Sequence, residues 1–131
     1  MRVYVVSACY PSNPGLAAYL IACPSERKAK FHQLGPIPGS AHAACLAGLL
    51  AAVRMYPAPG LELVTNQLAV IASLNGYRVN DWGASAPEPG RTIAASSATF
   101  LYVGNRDGDA DLDKARAKVH ELLTAAVRGA A

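Results

Sequence analysis

The chain has 131 residues, 52% of them hydrophobic and 16% charged, and a net charge of +3. That length suits a single domain over residues 1–131 and excludes a second one, and the charge is too small to count by itself as a nucleic-acid footprint. About 25% charged residues would be usual, so the sparse charge leaves room for an oligomer or a bound partner.

Residues 2–8, RVYVVSA, are β-branched and aromatic and predict a strand buried on both faces. Turn chemistry in PSNPG leads to a second strand, LAAYLIAC, over residues 16–23. The charged turn PSERK precedes KAKFHQLG, where Ala29 and Phe31, with Gln33 continuing the alternation, predict a strand with one wet face. Three strands joined by short turns imply an antiparallel meander.

GPIPGS breaks this pattern, and Ser40 is placed to cap a helix through AHAACLAGLLAAVRMY. Ala44, Cys45, Leu49 and Ala52 share one face, and Leu46, Leu50 and Val53 make the other side apolar, so the helix is expected to be covered over most of its circumference. Pro57 and Pro59 end it, and LELVT supplies a fourth strand that a helical return sets parallel to the first. NQLAVIASLNG predicts a short helix closed by Asn75 and Gly76. Residues 77–97 read as an irregular connection, and ATFLYVG as a fifth strand. The last helix, over residues 110–128, carries Leu112, Ala115, Val119, Leu122 and Ala126 on one stripe. The order βββαβαβα predicts an α/β domain: a five-stranded mixed sheet, a three-strand antiparallel meander plus two parallel strands, with helices on both faces.

Cys9, Cys23 and Cys45 show no metal-ligand spacing and lie in apolar surroundings, the pattern of buried thiols in a reducing cytoplasm. The N-terminus lacks the cleavage context of a secretory signal. The longest apolar run, residues 41–53, is interrupted by His42 and falls well short of the roughly 20 residues of a membrane span. A soluble, cytoplasmic protein with no membrane partner is expected.

The order of these elements, the SNPG turn, the apolar helix after GS, the LVTN strand end leading into QLAVIASLNGY, and YVGNRDGDADLDKA together resemble the type 1 ribonuclease H family over residues 3–126. The resemblance implies a ribonuclease H-like fold and, in the family's full form, an endonuclease that cuts the RNA strand of an RNA–DNA hybrid with Mg²⁺. That chemistry needs two divalent ions about 4 Å apart across the scissile phosphate, held by converging carboxylates. By the resemblance, the four carboxylate positions fall on Ser7, Cys45, Asn66 and Asp111, and three of the four acids are missing. Shifting the alignment recovers no pair, because Glu26 is the only acid among the first 61 residues. A hydroxyl, a thiol and an amide beside one aspartate lack the charge to hold two cations together. No catalytic residue and no cofactor is therefore expected; if residual activity exists, the ion is Mg²⁺ or Mn²⁺ and its contact is Asp111.

The resemblance also aligns Ser12 and Asn13 with polar positions facing the hybrid's minor groove, Ala41 and His42 with paired asparagines, and Leu68 with a glutamine. The candidate nucleic-acid-binding residues are thus Ser12, Asn13 and His42. The basic protrusion of some members has no counterpart in residues 77–97, which hold only Arg78 and Arg91.

Other residues have simpler readings. Asp107, Asp109, Asp111 and Asp113 do not make a calcium loop, since Leu112 stands where the glycine is required, and they suit the positive end of a helix dipole. His42 and Cys45, three apart, invite a Cys-His nucleophile, but no oxyanion hole or orienting residue can be named, and Cys45 reads as a core thiol. His32 and His120 are isolated and read as partly exposed surface residues. Trp82, beside Tyr77 in the long connection, reads as a hydrophobic latch before it reads as a base-stacking residue. Arg27, Lys28 and Lys30, and Lys114, Arg116, Lys118 and Arg128, form solvated faces by default, with phosphate contact as the competing role.

The expectation is a catalytically degenerate ribonuclease H-like protein acting as a non-catalytic binding module with weak, backbone-directed nucleic-acid contacts. Two competing readings are a protein-interaction or dimerisation module, and an active hybrid endonuclease with an atypical metal site built from Asp111 and an acid such as Glu62 or Asp81.

Overall fold

A computed structural model describes residues 1–10, 13–34, 40–57, 59–79, 88–104 and 107–130, with backbone alone at residues 13–15, 34, 40, 77–79, 127, 129 and 130. Three strands open the fold: β1 (Arg2–Tyr10), β2 (Asn13–Cys23) and, after a 3₁₀ turn at Pro24–Glu26, β3 (Lys28–Leu34). Helix α1 (Ser40–Met55), strand β4 (Glu62–Thr65), helices α2 (Leu68–Val79) and α3 (Gly90–Ala95), strand β5 (Thr99–Tyr102) and helix α4 (Ala110–Ala130) follow. The sheet order is β3-β2-β1-β4-β5. β1 pairs antiparallel with β2 and parallel with β4, β2 pairs antiparallel with β3, and β4 pairs parallel with β5. This is the expected mixed sheet, with helices on both faces.

The continuous apolar run of β1 has its cause in this order, because the strand is central and covered on both sides. Val3 and Val5 face Cys45, Leu49 and Ala52 of α1, whereas Tyr4, Val6 and Ala8 face Leu112, Ala115, Val119 and Leu123 of α4. One strand thus contributes alternate residues to two cores. Gly48 sits where α1 crosses the sheet, and a Cβ there would lie 2.6 Å from Val5 Cγ1 and 3.0 Å from Tyr19. The absence of a side chain sets how closely helix and sheet approach.

Several boundaries differ from the sequence reading. α2 does not stop at Asn75 and Gly76 but runs to Val79. Gly76 is not among the residues with positive φ, so it lacks the left-handed conformation that a glycine stop signal provides. Within the stretch expected to be irregular, Gly90–Ala95 form α3, which buries Ile93 and Ala94 beside α1 and α2. On α4 the buried stripe ends on Leu123 rather than Leu122, which is only partly buried. α1 is less enclosed than expected, since Leu46, Leu50 and Val53 are only partly buried. Ala29 is exposed, because β3 is an edge strand that α4 barely reaches. Trp82 and Asp81 lie outside the described residues.

Among the described residues, no helix is long and apolar enough to cross a membrane. The three thiols are free, Cys23 and Cys45 buried and Cys9 half-buried.

Candidate functional site

Two of the four carboxylate positions implied by the resemblance meet on the α1 face of the sheet. Ser7 follows Val3 and Val5 in the alternation of β1 and is 3% exposed; Cys45, on the sheet-facing side of α1, is fully buried. A residue that the sequence reading passed over completes the group. Thr65, the last residue of β4 and itself fully buried, places its Oγ1 3.2 Å from the Cys45 Sγ. Its position could have been read from the alternation in LELVT, where Thr65 falls on the same face as the buried Leu63.

Burial pushes the Cys45 thiol up to about 11, against a smaller opposite pull from the hydroxyls of Thr65 and Ser7. The thiol is therefore neutral at physiological pH and weakly nucleophilic. Ser7 lies near enough to influence the thiol, yet its Oγ makes no hydrogen bond of ordinary geometry among the described residues. Asn66, next to Thr65, likewise has a buried Oδ1 without a partner among the described residues. The thiol and the two hydroxyls form a neutral, buried cluster.

Asp111 does not join them. It is exposed at the start of α4, the helix on the opposite face of the sheet, and lines a cleft of about 300 Å³ with Arg2, Tyr4, Pro24 and Ser25. Glu62, offered as its alternative companion, is ion-paired with Arg2 at 3.6 Å. Asp109 is the N-cap of α4: its Oδ1 accepts the Leu112 N–H at 3.0 Å, and its Oδ2 accepts the Tyr4 hydroxyl at 2.9 Å. The Leu112 N–H, assisted by Tyr4, holds the Asp109 carboxyl below the usual carboxylate range. Asp107 accepts the Gly104 N–H at 2.6 Å, and Asp113 pairs with Arg116 at 3.3 Å. Among the described residues, no three His, Cys, Asp or Glu side chains are grouped to hold a metal ion.

The candidate nucleic-acid contacts are spread over several elements. Ser12 lies outside the described residues, and Asn13 is described only by its backbone, which pairs with Tyr10. His42 is exposed on the first turn of α1 and lines a small cleft with Leu46, Ser73 and Glu88. Cys45 directs its thiol to Thr65 on the sheet instead.

No family model and no curated protein matches the sequence. Solved structures do match in three dimensions. The RNase H1 of the halophilic archaeon Halobacterium salinarum NRC-1 superposes with a TM-score of 0.61 at 19% identity, over 94% of this chain and 96% of that one. LC9-RNase H1, described as a type 1 RNase H with the type 2 active-site motif, superposes with a TM-score of 0.63 at 14% identity, over 95% of this chain and 72% of that one. At this identity the likeness is one of fold, and the fold of this chain is ribonuclease H-like.

Proposed function

We propose that this chain is a non-catalytic module of ribonuclease H-like fold that associates with nucleic acid through the phosphate backbone. One observation carries the non-catalytic half: the pocket formed by Ser7, Cys45 and Thr65 is buried and neutral, with its thiol pushed up to about 11. A pair of divalent cations needs several anionic oxygens converging on one point. This donor set offers no anion, and its one soft ligand is protonated, so the residues present do not fit an Mg²⁺ pair. Asp111 on the opposite layer supplies no second carboxylate to them.

The binding half is supported by the fold together with a net positive chain, +3, and by the exposed lysines Lys28 and Lys30 on β3 and Lys114 and Lys118 on α4. The direct experiment incubates an end-labelled RNA–DNA hybrid with the protein and Mg²⁺ or Mn²⁺, and measures both cleavage and retention. Retention that weakens steeply between 50 and 200 mM salt, without cleavage, is the expected result. Cleavage that disappears in Asp111→Ala would overturn the proposal, as would the absence of any retention at low salt.

A further inference from the structure

Resting on that reading, we infer that the edge strand β3, flanked on its two sides by Lys28 and Lys30 and by Lys114 and Lys118, is the surface that holds a phosphodiester strand. β3 is the outermost strand of the sheet, and residues 24–30 are exposed throughout. Alternation along the strand splits its side chains. Lys28 and Lys30 pair with Cys23 and Ile21 and so stand on the α1 side, in a cleft of about 380 Å³ that Ile21, Met55 and Tyr56 also line. Ala29 pairs with Ala22 on the α4 side, in a second cleft of about 360 Å³ whose outer wall carries Lys114 and Lys118. Ala29 lines both clefts, so the two basic rows run along opposite sides of one exposed edge.

These ammonium groups are available. Lys30 and Lys114 have no ion-pair partner among the described residues. Lys28 reaches Glu26 only at 3.8 Å and Lys118 reaches Glu121 only at 4.0 Å, exposed pairs of the kind that contribute little. The acids in the two clefts are Glu26 and Asp111, one in each.

Spacing points to a polymer rather than a single anion. Lysines two apart on a strand repeat at about 6.7 Å, and lysines one turn apart on a helix lie about 5–6 Å from each other. Each row therefore presents regularly stepped charges, and the apolar surface of Met55 and Tyr56 beside one row suits the flat face of a base. A second copy adding its own strand is the occupant this edge disfavours, because lysines on an edge strand oppose strand addition.

The test measures fluorescence anisotropy of a labelled single-stranded oligonucleotide and of a labelled RNA–DNA hybrid. The proteins are wild type, Lys30→Glu/Lys114→Glu, and Arg128→Glu, a charge reversal at an exposed position far along α4. Thermal unfolding confirms that each variant is folded. The double reversal should weaken binding at least tenfold and reduce the slope of log K against log salt by about 2, whereas Arg128→Glu should change binding less than threefold. Lys30→Gln/Lys114→Gln should give an intermediate loss. Binding by the double variant equal to wild type, or an equal loss in Arg128→Glu, would overturn the β3 edge while leaving nucleic-acid association standing; no binding by wild type would overturn both.

Discussion

The thiol of Cys45 lies 3.2 Å from the hydroxyl of Thr65, joining α1 to the end of β4 inside the core, and neither side chain is exposed. A thiol held at about 11 has roughly one thousandth of its population as thiolate at pH 8. Cys45 should therefore resist alkylation in the native protein, and all three cysteines should react once guanidinium unfolds it. Mass-spectrometric mapping after brief iodoacetamide treatment checks this; rapid native labelling of Cys45 would refute the neutral pocket. Linkage gives the same statement a pH axis. The unfolded thiol ionises near 9 while the folded one stays protonated, so above pH 9 the unfolded state binds fewer protons and stability falls as pH rises toward 11. Denaturant titrations at pH 8 and 10.5 should show the decline, and Cys45→Ala should lessen it, leaving the part contributed by Tyr4, Tyr19 and Tyr56, which burial also raises.

Replacing Cys45 by glutamate asks directly whether the pocket tolerates an anion. Among the described residues no cationic group is in hydrogen-bond contact with it, so the carboxylate would be buried unpaired at a cost of about 3–5 kcal/mol. Such a carboxylate has a raised pKa, and lowering the pH neutralises it in the folded state. The deficit in Tm relative to wild type should therefore be large at pH 7.5 and smaller at pH 5. Recovery of the deficit by millimolar Mn²⁺ at pH 7.5 would show a metal-accepting site and count against the functional proposal.

Gly48 offers a test of packing alone. In an open helix, alanine would be favoured over glycine by about 1 kcal/mol. Here the new Cβ meets Val5 Cγ1 at 2.6 Å and Tyr19 at 3.0 Å, in the core between α1 and the sheet. Overpacking costs about 1–3 kcal/mol, so the contact should outweigh the propensity gain and Gly48→Ala should lower stability. Chemical denaturation at neutral pH decides the sign, and a stabilised variant would mean that the helix can move outward freely.

The strands and the two cores were legible because their signals are periodic. β1 is apolar without a break from Val3 to Val6, α4 repeats at helical spacing, and each pattern points to the layer that covers it. What was not legible depends on partners far away in the chain. Gly76 looks like a stop signal locally but takes no left-handed conformation, and Gly90–Ala95 are too short to show a period, although Ile93 and Ala94 find a core to enter. At the candidate site, Ser7 and Cys45 were singled out through a resemblance, and both are buried between α1 and the sheet. Thr65 was missed because its role depends on a thiol 20 residues away. The bond from Tyr4 to Asp109 spans 105 residues and leaves no local trace.

That last bond makes Asp109 the joint between β1 and α4. Its two oxygens divide the work: Oδ1 caps the helix through the Leu112 N–H, and Oδ2 accepts the Tyr4 hydroxyl. Asp109→Ala removes a cap worth about 1 kcal/mol and leaves a partly buried phenol without its acceptor, so a loss of about 1–2 kcal/mol is expected. Asp109→Asn keeps an oxygen for the cap and should recover most of it. The carboxyl is held below its ordinary range, so the unfolded chain takes up a proton first as the solution is acidified. Its contribution is present above the usual aspartate value of about 3.9 and is lost as pH falls through the lower, folded one. Denaturation of wild type and Asp109→Asn at pH 6 and pH 3 should show the gap between them narrowing on acidification. A gap that widens instead would mean that the Tyr4 and Leu112 contacts do not favour the charged form.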